Sequence, residues 1–106
     1  MAWIVLVIAG LAEIGFTTCL KLSENFTRPI PSAGFFVLSI LSFVLLTRAI
    51  QTIPLGTAYA VWTGIGACGT AIVGIVLFKD PLTGSRVALL ALLIGSVIGL
   101  KVISGD

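Results

Sequence analysis

The sequence predicts an all-α integral membrane protein, a bundle of four transmembrane helices. Three observations carry that prediction. Of 106 residues, 58% are hydrophobic and only 9% are charged, against roughly 25% charged for an ordinary soluble domain. The mean hydropathy is +1.25. The charges also divide the chain into four uncharged runs, Met1 to Ala12, Pro29 to Thr47, Ala49 to Phe78 and Val87 to Leu100. A membrane-spanning helix needs about 20 mostly apolar residues, whereas a membrane β-barrel alternates polarity in segments of about ten. No such alternation runs through this chain. Four spans, at about residues 3–20, 32–49, 55–78 and 85–103, make one transmembrane domain over 1–106 and leave no room for a nucleotide-binding fold or a soluble domain.

Each span has local reasons to start and stop. No Lys or Arg precedes the first, which also carries Glu13, so it reads as a retained helix and not as a signal peptide. Lys21, Glu24, Arg28, Pro29 and Pro31 form a polar, proline-broken loop, after which Ser32 is placed to cap the second helix. Gln51 to Gly56 is the next break, with Pro54 suited to the first turn of the third helix. Lys79 to Gly84 ends that helix and leads to the fourth. All connections are short, so sequential helices pack antiparallel.

The loops bias orientation only weakly. Lys21, Arg28, Lys79 and Arg86 fall on one side, and Arg48 and Lys101 on the other. Such a chain can insert both ways round. Transporters usually build alternating access from two inverted halves, and comparison of the halves shows no internal repeat. A second, oppositely oriented copy supplies the inversion, so a dimer is expected, with the G-x-x-x-G of Gly95 and Gly99 in the fourth helix helping to hold it.

Several chemistries are set aside. Six cations spread along the chain make no nucleic-acid patch. There is no His, and Cys19 and Cys68 sit apart in apolar stretches as small packing residues, so neither a metal nor a cofactor is expected. Gly64 to Gly69 matches G-x-G-x-x-G without the strand or the downstream acid that dinucleotide binding needs. Asn25 to Thr27 is a glycosylation sequon in a very short loop.

Glu13 carries the chemistry. It lies about 15 Å into a hydrocarbon slab about 30 Å thick, where insertion of an acid costs roughly 2.5–3.5 kcal/mol. The bland alternative is a carboxyl group gluing helices together. The functional reading is a carboxylate that holds a proton or a cation but not both, which suffices for antiport if the site alternates between faces. Leu6, Gly10, Glu13 and Thr17 share a helical face with Phe16 beside them, and Gly10 is expected to leave space over the carboxylate for substrate. On the third helix Tyr59, Trp62, Thr63 and Gly66 form an aromatic and hydroxyl stripe. Aromatic faces attract cations, although Tyr and Trp also mark membrane interfaces and pack helices. In the second helix, Ser39 and Ser42 are each able to hold the carboxylate or to bond a backbone carbonyl of their own helix.

These residues resemble a known family. Glu13 within Ala-Glu-Ile-Gly-Phe-Thr-Thr, the loop Phe26-Thr-Arg-Pro-Ile-Pro-Ser32, and Pro54-Leu-Gly-Thr-Ala-Tyr-Ala-Val-Trp-Thr-Gly64 are similar to the small multidrug resistance transporters over essentially the whole chain. The resemblance implies a multi-pass protein of the bacterial inner membrane. It further implies an antiparallel homodimer in which both copies of the Glu exchange protons for a cationic substrate. The third-helix segment, Ser42 and the ending Ile98-Gly-Leu-Lys101 are similar to the subtype that exports guanidinium and small guanidinyl compounds. By that resemblance Gly10, Glu13, Ser42, Tyr59, Trp62 and Lys101 carry over. Lys101 stands either in the dimer contact or as a snorkelling side chain at the membrane face. That subtype typically has Trp where this chain has Phe16, and Gly15 to Thr18 looks more like the exporters of bulky quaternary ammonium drugs. Loss of an indole donor predicts a range broadened toward substituted guanidines or small quaternary ammoniums.

The expectation is therefore a proton-coupled antiporter of guanidinium-type cations and not an enzyme. The alternatives are a broader quaternary ammonium exporter of the same family, a non-transporting accessory subunit, and one half of a heterodimer.

Overall fold

The structure, a computed structural model, describes residues 1–104. Its elements are α1 (Ala2–Leu22), α2 (Pro29–Ala49), α3 (Leu55–Leu77) and α4 (Gly84–Ser104), with no strand among the described residues. A helix of 21 residues is roughly 31 Å long at 1.5 Å per residue, which matches the hydrocarbon slab. All four are long and apolar enough to cross a membrane. The chain is a multi-pass membrane protein.

Prolines set two of the helix starts, each slightly differently from expectation. α2 begins at Pro29, not at a Ser32 cap, and Arg28 is the N-cap in extended conformation. The reason is that Pro29 and Pro31 carry no backbone N–H, so the first turn has fewer donors to satisfy. The Ser32 hydroxyl instead donates to the Arg28 carbonyl at 2.6 Å. Pro54 is likewise the N-cap of α3 and not its first turn, with ψ at 140° and its carbonyl accepting from the Ala58 N–H at 2.9 Å. At α4, the Thr83 hydroxyl accepts from the Arg86 N–H at 3.2 Å, a cap that the sequence reading did not single out.

The first loop is wound tightly. Glu24, Asn25 and Phe26 all have left-handed φ, between 48° and 66°, a conformation uncommon outside glycine. Ser23 holds them there. Fully buried, it donates to the Leu20 carbonyl at 2.7 Å and accepts from the Phe26 N–H at 3.2 Å, while its own carbonyl accepts from Thr27 and Arg28. Phe26 thereby joins Phe16, Phe35 and Phe36 in an aromatic cluster, with ring centroids 5.2–6.0 Å apart.

α1 is the central helix, packed on both α2 and α3, whereas α4 packs mainly along α3. The buried core joins Trp3, Leu6 and Ala9 of α1 to Leu46 and Ala49 of α2 and to Ile53, Ala58, Val61 and Trp62 of the second loop and α3. It lies at the second-loop end of the bundle. The other half of the α1–α3 seam is built by placing a large side chain opposite a glycine. Ile65 sits over Gly10, Glu13 over Gly66, and Ile14 over Gly69. Small residues let helix backbones approach closely in a membrane, where van der Waals contact drives association. The expected space over Gly10 is thus filled. A Cβ there would stand 2.6 Å from Ile65 Cγ2.

The span of α4 has no buried residue, and nothing lies within 4 Å of a Cβ built on Gly95 or Gly99. The fold measures only 17 Å along its thinnest axis.

The seam is directly testable. Gly10→Val should destabilise the protein by roughly 1–3 kcal/mol through overpacking against Ile65. Adding Ile65→Ala should restore most of the loss. Unfolding midpoints in micelles for the two single variants and the double variant measure that coupling.

Candidate functional site

Near the middle of α1, the Glu13 carboxylate lies against the backbone of Gly66 on α3, in the volume that any side chain at 66 would occupy. Its Oε1 is buried and has no hydrogen-bond partner. The sole salt bridge among the described residues, Arg28 to Glu24 at 3.9 Å, is on the surface. A carboxylate oxygen in apolar surroundings is costly unless it is protonated or paired.

One turn toward the second-loop end, the site is fully wired. The Trp62 indole N–H donates to Ser42 Oγ at 2.9 Å, and Ser42 donates to the Ala9 carbonyl at 2.7 Å. Helical geometry also gives the Ala9 carbonyl to the backbone N–H of Glu13. The relay therefore ties α2 and α3 to the turn that carries the carboxylate. Ser42 is fully buried and Trp62 nearly so. Of the alternatives open for the second-helix hydroxyls, Ser39 bonds its own helix, at the Phe36 carbonyl, and Ser42 bonds α1. Phe43 and Tyr59 flank Trp62 with ring centroids at 5.3 and 5.7 Å. Tyr59 is 57% exposed, an aromatic face free to meet a cation.

The other residues singled out from the sequence are dispersed around this centre. Thr17 donates to the Ile14 carbonyl at 3.0 Å and pairs with Thr70 at 2.6 Å. Phe16 packs edge-on against Phe35, 5.7 Å between centroids. Thr63 is exposed. Gly10 belongs to the seam with Ile65 and not to an open space. Lys101 stands over the Trp3 ring at 5.2 Å, which ties the end of α4 to the start of α1. Cys19 and Cys68 are unpaired thiols in the helices.

Sequence reasoning missed Thr70 and treated Gly66 only as part of a stripe. The signal that locates both is a register of 53 residues between α1 and α3, since Glu13 to Gly66 and Thr17 to Thr70 share it. A separate cleft of about 270 Å3 between α3 and α4 is lined by Gly64, Ile65, Cys68, Ile94, Val97 and neighbours. Its walls are almost wholly apolar, so it offers an ion nothing.

Against known proteins, the family described as "Small Multidrug Resistance protein" matches residues 1–93. The chain is 50% identical to the guanidinium exporter of Yersinia pseudotuberculosis over 104 residues, covering 98% of this chain and 100% of that one. It is 50% identical over 101 residues to the guanidinium exporter of Escherichia coli K12, with 95% and 96% covered. For the guanidinium exporter of Citrobacter freundii the identity is 48% over 101 residues, with the same coverage.

The seat of the carboxylate can be filled from the protein side. Gly66→Ala places a methyl group where Glu13 lies and should weaken cation binding at least tenfold. Helix content by circular dichroism should stay unchanged, because alanine favours a helix by about 1 kcal/mol over glycine.

Proposed function

The chain belongs to the small multidrug resistance family, and on that premise we propose that it exports guanidinium and small guanidinyl cations in exchange for protons. The observation that carries this reading is the buried, unpartnered Oε1 of Glu13 at mid-depth in an apolar bundle. Guanidinium is planar, weakly hydrated and able to bind a carboxylate through two parallel N–H bonds while stacking on an aromatic ring. Glu13 supplies the carboxylate, and Trp62 and Tyr59 supply aromatic faces on the neighbouring helix. Since one carboxylate cannot hold a proton and a cation together, arrival of either expels the other. Relatives named guanidinium exporters at about half identity over nearly the full length support the substrate class.

The working unit we propose is an antiparallel homodimer. Two oppositely oriented copies present equivalent Glu13 groups to the two faces of the membrane, and the weak charge asymmetry of the loops permits both orientations. The uncovered α4, with Gly95 and Gly99 open, is the surface that a second copy would use. Phe16 favours one refinement. Its ring is engaged with Phe35 and it has no N–H, so selectivity rests on fewer fixed donors than an indole would give. Substituted guanidines and small quaternary ammoniums should therefore also be carried.

Two measurements test this. Adding guanidinium to unbuffered protein should acidify the solution, with a response that vanishes in Glu13→Gln, and lowering the pH should weaken guanidinium binding because protons compete for the same oxygen. Proton release that survives in Glu13→Gln would remove the mechanism. In a competition series from guanidinium to a bulky quaternary ammonium, Phe16→Trp should narrow the accepted range severalfold. Tight binding of the bulky ions alone would assign the chain to drug export instead.

A further inference from the structure

The polar side of the seam continues past Glu13 toward the first and third loops. One turn along α1, about 6 Å, the hydroxyls of Thr17 and Thr70 meet. Beyond them Thr18, Lys21, Val73, Gly74, Phe78 and Asp80 complete the lining of a cavity of about 160 Å3. One water in the liquid occupies about 30 Å3, so a cation of four heavy atoms fits there with water beside it.

The hydrogen-bond inventory decides what this cavity can hold. Thr17 and Thr18 both donate to the Ile14 carbonyl, at 3.0 and 2.8 Å. Either hydroxyl can be the donor in the Thr17–Thr70 pair. At least two of the three hydroxyl protons are committed in either arrangement, and all three oxygens keep lone pairs that accept. The Asp80 carboxylate adds acceptors alone. Its position at the mouth is fixed by its own backbone N–H, which donates to the Gly74 carbonyl at 3.0 Å, and its side chain lies against Gly74. Lys21 is the sole cationic side chain of the lining. Its ammonium stands 5.7 Å from the Phe78 ring centroid and forms no salt bridge among the described residues. An anion would find one lysine and be repelled by Asp80. A cation made only of N–H donors finds hydroxyl and carboxylate acceptors and, once Lys21 moves away, an aromatic face.

The geometry points to an outer cation subsite between Asp80 and the Thr17–Thr70 pair, where a guanidinium-type cation is held between water and Glu13 after displacing Lys21 from Phe78. This rests on the reading of Glu13 as the exchanging group. Lys21 is the resident cation that keeps the site neutral with Asp80 when no substrate is there. Its long flexible stem lets the ammonium swing out to water. Replacing one cation by another leaves the net charge of the cavity unchanged, so the substrate enters a partly apolar region without adding charge to it. The next step inward is a single helical turn.

The test separates this subsite from the deep one. In full-length Glu13→Gln protein in lipid nanodiscs, backbone amide NMR shifts are titrated with guanidinium chloride and, in parallel, with sodium chloride at equal concentration. Saturable shifts at Thr18, Thr70 and Asp80 specific to guanidinium are expected. Asp80→Asn on that background should weaken the response roughly two- to fivefold, the range of a solvent-exposed charge contact, and Lys21→Gln should strengthen it. With Glu13 intact, the same two changes should respectively raise and lower the guanidinium concentration for half-maximal transport. A merely structural role for Asp80 would not give Lys21→Gln the opposite sign. Identical responses to guanidinium and sodium, or no effect of Asp80→Asn, would overturn the subsite. Failure of the exporter reading is a different result: the unaltered protein would release no protons on guanidinium addition, whatever the Glu13→Gln titration shows.

Discussion

A carboxylate oxygen without a partner, at mid-depth in a hydrocarbon slab, is the constraint around which this chain is arranged. Among the described residues only Trp3 Nε1 and Glu13 Oε1 are buried side-chain polar atoms without a hydrogen bond. Trp3 stands in the first turn of α1, at the membrane end, where indoles commonly sit. Glu13 has no such position to explain it. The polar groups on either side are satisfied, by the Trp62–Ser42–Ala9 relay toward one face and by Thr17, Thr18 and Thr70 toward the other. These satisfied neighbours hold the turn of helix that carries Glu13 in place.

That constraint explains why α1 and α3 meet through glycines. Gly66 brings the α3 backbone directly against the carboxylate. Any side chain at that position would either fill the seat or supply a competing contact. Gly10 and Gly69, on either side, receive Ile65 and Ile14, so the close approach is kept over several turns without any polar bond between those pairs. In a membrane this contact has to come from van der Waals packing, because lipid tails compete equally for apolar surface. The seam can therefore be tight and still contain one ionisable group.

How much of this was legible in the sequence follows from which terms are local. Four helices and the placement of Glu13 inside the first were readable, since hydropathy and the cost of an intramembrane acid belong to single segments. Proline placed two helix starts to within a few residues, and the shift from Ser32 to Arg28 is a matter of which residue lacks an N–H. The space over Gly10 and the choice between Ser39 and Ser42 were not readable. Both depend on how α1 is rotated and shifted against its neighbours, and a 3.6-residue period within one helix holds no information about that. Thr70 was hidden for the same reason, although the pairing of Glu13 with Gly66 would have located it one turn on.

The distribution of burial along the chain argues further about the functional unit. The core is concentrated near the second loop, while α4 packs mainly along α3 and has no buried residue in its span. A largely apolar span of 20 residues held mainly by one flank contributes little to the seat of Glu13. On the outward side of α1, Ile4, Val7, Ile8 and Leu11 are all more than 40% exposed. A single copy is therefore a slab with the carboxylate on its interior seam and two apolar faces uncovered. Lipid can cover such faces, but lipid cannot supply the second wall that a cation leaving water needs. In the dimer proposed above, that wall is another copy of the same chain. The low charge content then has a mechanistic consequence, because each wall brings one exchanging carboxylate and no fixed cation at its depth to neutralise it.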